Sequence, residues 1–181
     1  MSRSVSLLNR DRSHLIVVDV QEKLLPVIAD HEPLLNTIQF LKDAATLFDV
    51  PVTTSEQYPA GLGSTVEALQ PAGNVFEKTQ FSAADGFIPY QVDGRDQIVL
   101  CGIEAHICVL QTAFDLCARG VRVFVAADAV GSRNESDRQT ALQRLRDGGV
   151  TVCSAESIAF EWCESSDQAR FRALSRLVRG L

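Results

Sequence analysis

The chain reads as an α/β protein, a three-layer α/β/α sandwich around a mostly parallel, Rossmann-like sheet of about six strands. Three observations predict this. The β-branched runs at 14–20 (HLIVVDV), 97–101 (QIVLC) and 121–127 (VRVFVAA) are nearly continuous in apolar residues, as strands buried on both faces are. Apolar residues recur at spacings of three and four in the stretches between such runs, which is the signature of amphipathic helices. Strands that alternate with helices pair in parallel through right-handed crossovers.

Taken in order, the strand at 14–20 comes first. A helix follows, with Pro33 suited to its first turn and Leu34, Leu35, Ile38, Leu41, Ala45 and Phe48 as its apolar stripe. A short strand is predicted at 50–54. The longest irregular stretch, 55–72, contains Pro59, Gly61, Gly63 and Pro71; long loops in compact domains often carry function. A strand at 74–78 precedes the one at 97–101. The next helix carries Val109, Thr112, Ala113, Leu116 and Cys117, and Gly120 is a suitable C-cap. The strand at 121–127 leads to a helix over 135–146, stopped by Gly148 and Gly149, and a last strand at 150–153. A final helix presents Phe171, Leu174, Leu177 and Val178 on its apolar side. Arg170, Arg172, Arg176 and Arg179 lie on or beside it, as a solvated face or a subunit contact.

At 181 residues the chain is expected to form one domain, 1–181, with a full core. Its 46% hydrophobic and 22% charged residues are ordinary for a globular protein. A net charge of −6, with no basic cluster before the last helix, speaks against a nucleic-acid partner. Residues 1–12 lack the apolar centre of a secretory signal, and no run approaches the ~18 apolar residues of a membrane span. The five cysteines are odd in number and contain no Cys-x-x-Cys pair. That argues against a disulfide framework and a zinc ribbon. A cytoplasmic protein without a cofactor is the expectation.

Ligands of open parallel sheets bind at the carboxyl ends of the strands. Asp19, Lys78, Cys108 and Asp128 all fall there. Cys108 is also placed near a helix start, where the dipole and unpaired N–H groups are expected to favour a thiolate. An ammonium beside a thiol stabilises its anion, and a carboxylate can accept and return its proton. Asp, Lys and Cys therefore suffice for acyl transfer without a histidine. His14 and His31 are poorly placed for catalysis, and His106 is expected to line the site instead of acting as base. Two other readings remain open: a binding or assembly protein that keeps the scaffold, and a redox-sensing thiol without a resolving partner.

The segments Val17-Val-Asp19-Val-Gln21, Glu77-Lys78-Thr-Gln-Phe-Ser82, Gly102-Ile-Glu-Ala-His-Ile-Cys108 and Asp128-Ala-Val-Gly-Ser-Arg133 carry a resemblance. In this order and spacing they resemble the isochorismatase-like cysteine hydrolases, which include nicotinamidases and N-carbamoylsarcosine amidohydrolases, over about residues 15–153. The resemblance implies an Asp19, Lys78 and Cys108 triad and an oxyanion hole formed by the N–H groups of Glu104 and Cys108. It also implies a cis peptide between Ile103 and Glu104, a homo-oligomer, and a structural role for Asp128 and Arg133. Nicotinamidases hold a metal through an Asp-x-His pair and a further histidine. The corresponding Ser55-Glu-Gln-Tyr58 has no histidine, so no metal is expected. The implied reaction is hydrolysis of a C–N bond in a small amide or ureido compound through a thioester. Gln21, Tyr58, Phe81 and His106 are the candidates to line its pocket.

Overall fold

The computed structural model describes residues 3–69 and 73–181. Six strands form a single parallel sheet: β1 (Ser13–Val18), β2 (Val52–Gln57), β3 (Asn74–Lys78), β4 (Gln97–Ile103), β5 (Arg122–Gly131) and β6 (Thr151–Cys153). Their spatial order is β3-β2-β1-β4-β5-β6. The chain therefore reverses its winding between β1 and β4, and such a switch point leaves a crevice beyond the strand ends.

Every residue of β1 and β4 is buried, as their unbroken apolar runs require. One sheet face is covered by α1 (His31–Leu47), α6 (Ala155–Cys163) and α7 (Phe171–Val178). The core on that face includes Leu15, Val17, Ile38, Leu41, Phe48 and Trp162. The other face carries α3 (Ala84–Phe87), α4 (Leu110–Ala118) and α5 (Glu135–Asp147), around a core that includes Ile16, Val18, Leu100, Val109 and Leu145. Between β2 and β3 a four-residue helix, α2 (Pro59–Leu62), interrupts the connection.

Several boundaries differ from those the sequence predicts. β2 continues to Gln57, because its polar Ser55, Glu56 and Gln57 still pair with Phe76, Glu77 and Lys78 of β3. The predicted irregular stretch thus begins in a strand and contains α2 and a 3₁₀ turn at Glu67–Leu69; its last residues, Gln70 to Ala72, lie outside the described ones. β5 runs on to Gly131 through a register shift opposite Leu100 and Gly102 of β4. The helix after β4 begins earlier than expected, with a π-helical turn at Ala105–Val109 that leads into α4. Helix α6, absent from the sequence reading, is N-capped by Ser154, whose hydroxyl accepts the N–H of Ser157.

Candidate active site

Asp19 is the first residue beyond β1. It is fully buried and adopts a left-handed backbone conformation, φ 52°. Its own N–H donates to the Ser55 carbonyl at 3.1 Å, so the chain leaves the sheet still pinned to β2. Each carboxylate oxygen has a separate donor. The Ser55 hydroxyl donates to Oδ1 at 2.7 Å, and Lys78 Nζ donates to Oδ2 at 2.6 Å.

Lys78 ends β3, two strand positions away from β1. Strands lie roughly 4.8 Å apart, so the ammonium must cross the end of β2, a span of roughly 10 Å between backbones. On the way Nζ donates to Gln57 Oε1 at 2.7 Å, and it also donates to the carbonyls of Phe81 at 3.0 Å and Gln80 at 3.2 Å. A buried cation is tolerable only when surrounded in this way.

Cys108 arrives from the other side of the switch point. Gly102 permits that approach: its φ is 114°, and a side-chain carbon there would lie 2.2 Å from the Val18 carbonyl oxygen. The peptide bond between Ile103 and Glu104 is cis. Cys108 then lies within the π-helical turn, its carbonyl accepting the Thr112 hydroxyl at 2.6 Å. Thr112 Oγ1 also accepts the N–H of Ala83 at 2.8 Å, tying this turn to the segment after β3. The sulfur lies close enough to the Asp19 carboxylate and to the backbone N–H of Glu104 for both to act on its titration.

The electrostatics correct one expectation. A position near a helix start predicts a favoured thiolate, yet burial pushes the Cys108 thiol up to about 12, and the Asp19 charge raises it too. The Lys78 charge and the Glu104 N–H act in the opposite direction and are outweighed. Asp19 is itself raised above the usual carboxylate range by burial, against the pull of Lys78, Ser55 and Cys108. At rest the site therefore holds a neutral thiol next to a base stronger than an ordinary aspartate.

The other residues singled out in the sequence divide into distinct groups. Gln21 is buried, but its amide is committed to the protein: Nε2 donates to the carbonyls of Gln57 and Gly63 at 3.0 and 2.6 Å, and Oε1 accepts the Gln57 N–H at 2.7 Å. It ties the loop after β1 to the end of β2. Tyr58 and Phe81 are 57% and 54% exposed and both touch Lys78 through the backbone: the Tyr58 N–H donates to the Lys78 carbonyl at 2.8 Å, and the Phe81 carbonyl accepts Lys78 Nζ. A crevice of about 370 Å³ opens beside Tyr58, Lys78 and Gln80. His106 is partly buried, its Nδ1 2.9 Å from Ser132 Oγ. Asp128 caps α6 by accepting the Ala155 N–H at 2.8 Å, away from the thiol chemistry. Glu56 accepts both the N–H and the hydroxyl of Thr65, at 2.6 and 2.7 Å. Among the described residues, no group of three or more His, Cys, Asp and Glu side chains is arranged to hold a metal ion.

Sequence reasoning missed Ser55 and Gln57, which contact the two halves of the ion pair. Their signal was available: they stand two apart in the same strand, so both face the same side.

Residues 13–157 match the isochorismatase domain. The isochorismatase domain-containing protein 2A of Mus musculus is 36% identical over 173 residues, which are 93% of this chain and 84% of that protein. Against longer relatives of the same kind the chain spans 59% of their length. Among solved structures, MAR1 ribonuclease of Caenorhabditis elegans superposes with a TM-score of 0.91 at 34% identity, covering 96% of this chain and 92% of that one. The YcaC gene product of Escherichia coli, an octameric hydrolase of unknown specificity, has a TM-score of 0.90 at 23% identity over 99% and 92% of the two chains, a likeness of fold.

Proposed function

The chain belongs to the isochorismatase family and has its hydrolase scaffold, and from that premise we propose that it is a metal-independent cysteine hydrolase of small amides or ureido compounds. One observation carries the reading: Cys108, a raised Asp19 and the Lys78 ammonium share one buried site at the switch point of the sheet.

In the proposed cycle Asp19 takes the thiol proton as the sulfur attacks the substrate carbonyl carbon. Lys78 holds Asp19 in place and stabilises the negative charge while it resides on sulfur. The carbonyl oxygen becomes an oxyanion that accepts the N–H groups of Glu104 and Cys108. Collapse of this intermediate breaks the C–N bond, and Asp19 returns its proton to the departing ammonia or amine. A water, deprotonated by Asp19, then cleaves the thioester and releases the acid. A thiol with its proton still in place is compatible with this sequence, because proton transfer accompanies attack. Tyr58, Phe81 and His106 would border the substrate, with Gln21 shaping the loop behind them. The two exposed aromatics beside the site also support assembly with further copies of this chain.

The test is a screen of amides and ureides for ammonia release, with trapping of the acyl group on Cys108 by mass spectrometry. RNA belongs in the same screen, because a relative of similar fold is a ribonuclease. Cys108-dependent release from an amide is the expected result. RNA cleavage that survives Cys108→Ala, with no amide turned over, would overturn the proposal. A chain of net charge −6 whose active-site lysine spends its donors inside the protein favours the amide.

A further inference from the structure

The oxyanion side of the site has a support that the cycle above does not use. The Glu104 side chain is 9% exposed, and its Oε2 accepts the backbone N–H of Arg133 at 3.0 Å and Arg133 Nε at 3.2 Å. Two residues on, His106 Nδ1 stands 2.9 Å from Ser132 Oγ. The β4–β5 ladder ends where Ile103 pairs with Gly131. These side-chain links therefore continue the pairing of the two segments beyond the last backbone rung. The main chain of Glu104 is equally committed. Its carbonyl accepts the N–H groups of Ile107 at 3.1 Å and Val109 at 3.2 Å, and its own N–H faces the Cys108 sulfur.

A carboxylate buried to this extent is a poor choice for packing alone, since it must be hydrogen-bonded to be tolerated. The Arg133 side chain is 56% exposed, so the ion pair itself adds little stability. What the contact does supply is position, because it fixes the residue that carries an oxyanion donor to the neighbouring strand end. We propose that the Glu104 carboxylate, gripped by the main chain and side chain of Arg133, is a positioning clamp for the oxyanion hole. Arg133 acts through Glu104 and does not touch the substrate. The inference rests on the hydrolase reading, and its test separates the two.

Two reagents for Cys108 differ in whether they need an oxyanion. p-Nitrophenyl acetate acylates the sulfur: the S–C bond to the acetyl carbon forms, the acyl C–O bond of the ester breaks, p-nitrophenolate leaves and the thiol proton goes to Asp19. Iodoacetamide alkylates the same sulfur by displacing iodide, with no tetrahedral intermediate. Glu104→Ala should slow acylation on the order of 10²-fold, the scale of losing one oxyanion donor, and roughly tenfold or more beyond any slowing of alkylation, which shares the sulfur and its Glu104 N–H but needs no oxyanion. Glu104→Gln keeps an acceptor for Arg133 and should restore acylation to within ~5-fold of wild type. Arg133→Met loses only the Nε contact and should slow acylation by roughly 3–10-fold; it carries the test if Glu104→Ala does not fold. Equal acylation rates in wild type and the variants, or equal slowing of both reactions, would overturn the clamp alone. A wild type that is alkylated at Cys108 but never acylated would overturn the hydrolase reading and the clamp with it.

Discussion

The two ends of β1 each bury an ionisable side chain, and they treat it in opposite ways. At the amino end His14 is enclosed, its Nε2 2.9 Å from Thr53 Oγ1 and its ring edge-on to Phe87 at 4.8 Å. Burial, with the Arg95 charge adding to it, pushes His14 down to about 4, so it is a neutral packing residue at ordinary pH. At the carboxyl end, one residue past the strand, Asp19 keeps a cation beside it and a thiol within reach. Burial of a titratable group thus does not mark a site. A buried group held next to a partner with which it can exchange a proton does.

The largest effect that sharpens this contrast is expected from Cys108→Ala. Hydrolysis should fall by at least about 10⁴-fold, measured as ammonia release, while the melting temperature stays within a few degrees of wild type. A variant with wild-type turnover would reduce the carboxyl end to another packed region. Next comes Asp19→Asn, with a loss of roughly 10²–10⁴-fold in hydrolysis from removal of the base. Because the Asp19 charge raises the thiol, the same variant should be alkylated at lower pH than wild type. Movement of the alkylation profile to higher pH would contradict the electrostatics described above.

Lys78→Met tests stability at this end. It strands a buried carboxylate, and such breakage costs about 3–5 kcal/mol in denaturant titrations at neutral pH. Asp19 in the folded protein already holds its proton more tightly than in the unfolded chain. The stability it contributes therefore declines as pH rises from the ordinary carboxylate range to its folded value. Without Lys78 the folded value rises further and that decline extends to higher pH, so the deficit should narrow as the pH is lowered; a pH-independent deficit would refute this account.

The smallest effect belongs to the amino end. His14 binds its proton more weakly folded than unfolded, so stability is present above pH 6.5 and is lost as the pH falls towards about 4. The loss amounts to at most about 3 kcal/mol, and His14→Gln should flatten it without changing hydrolysis. A drop in turnover would mean that the two ends are coupled.

The layers of the fold were legible because apolar runs and helical spacings repeat along the chain, and β1 and β4 are as fully buried as their composition predicts. The convergence of Asp19, Lys78 and Cys108 on one edge was legible through the carboxyl-end rule. Less of the site's wiring was readable. The polar end of β2 looks like loop, because pairing with an edge strand leaves no apolar trace in Ser55-Glu56-Gln57. The thiol's raised pKa depends on how deeply the sulfur sits beside Asp19, a distance that spacing along the chain does not encode. The Glu104–Arg133 contact joins residues 29 apart across a strand end, with no local pattern to announce it.

Lys78 lies on the outermost strand of the sheet, and its ammonium reaches inward over β2 to close on Asp19. Edge strands have a neighbour on one side only, and local opening of a protein begins where few contacts oppose it. Fraying of β3 would withdraw the cation while β1, β4 and the thiol stayed in place. Reactivity at Cys108 is thus a gauge of the sheet's margin, and chemistry would fail under mild denaturant before the core gives way.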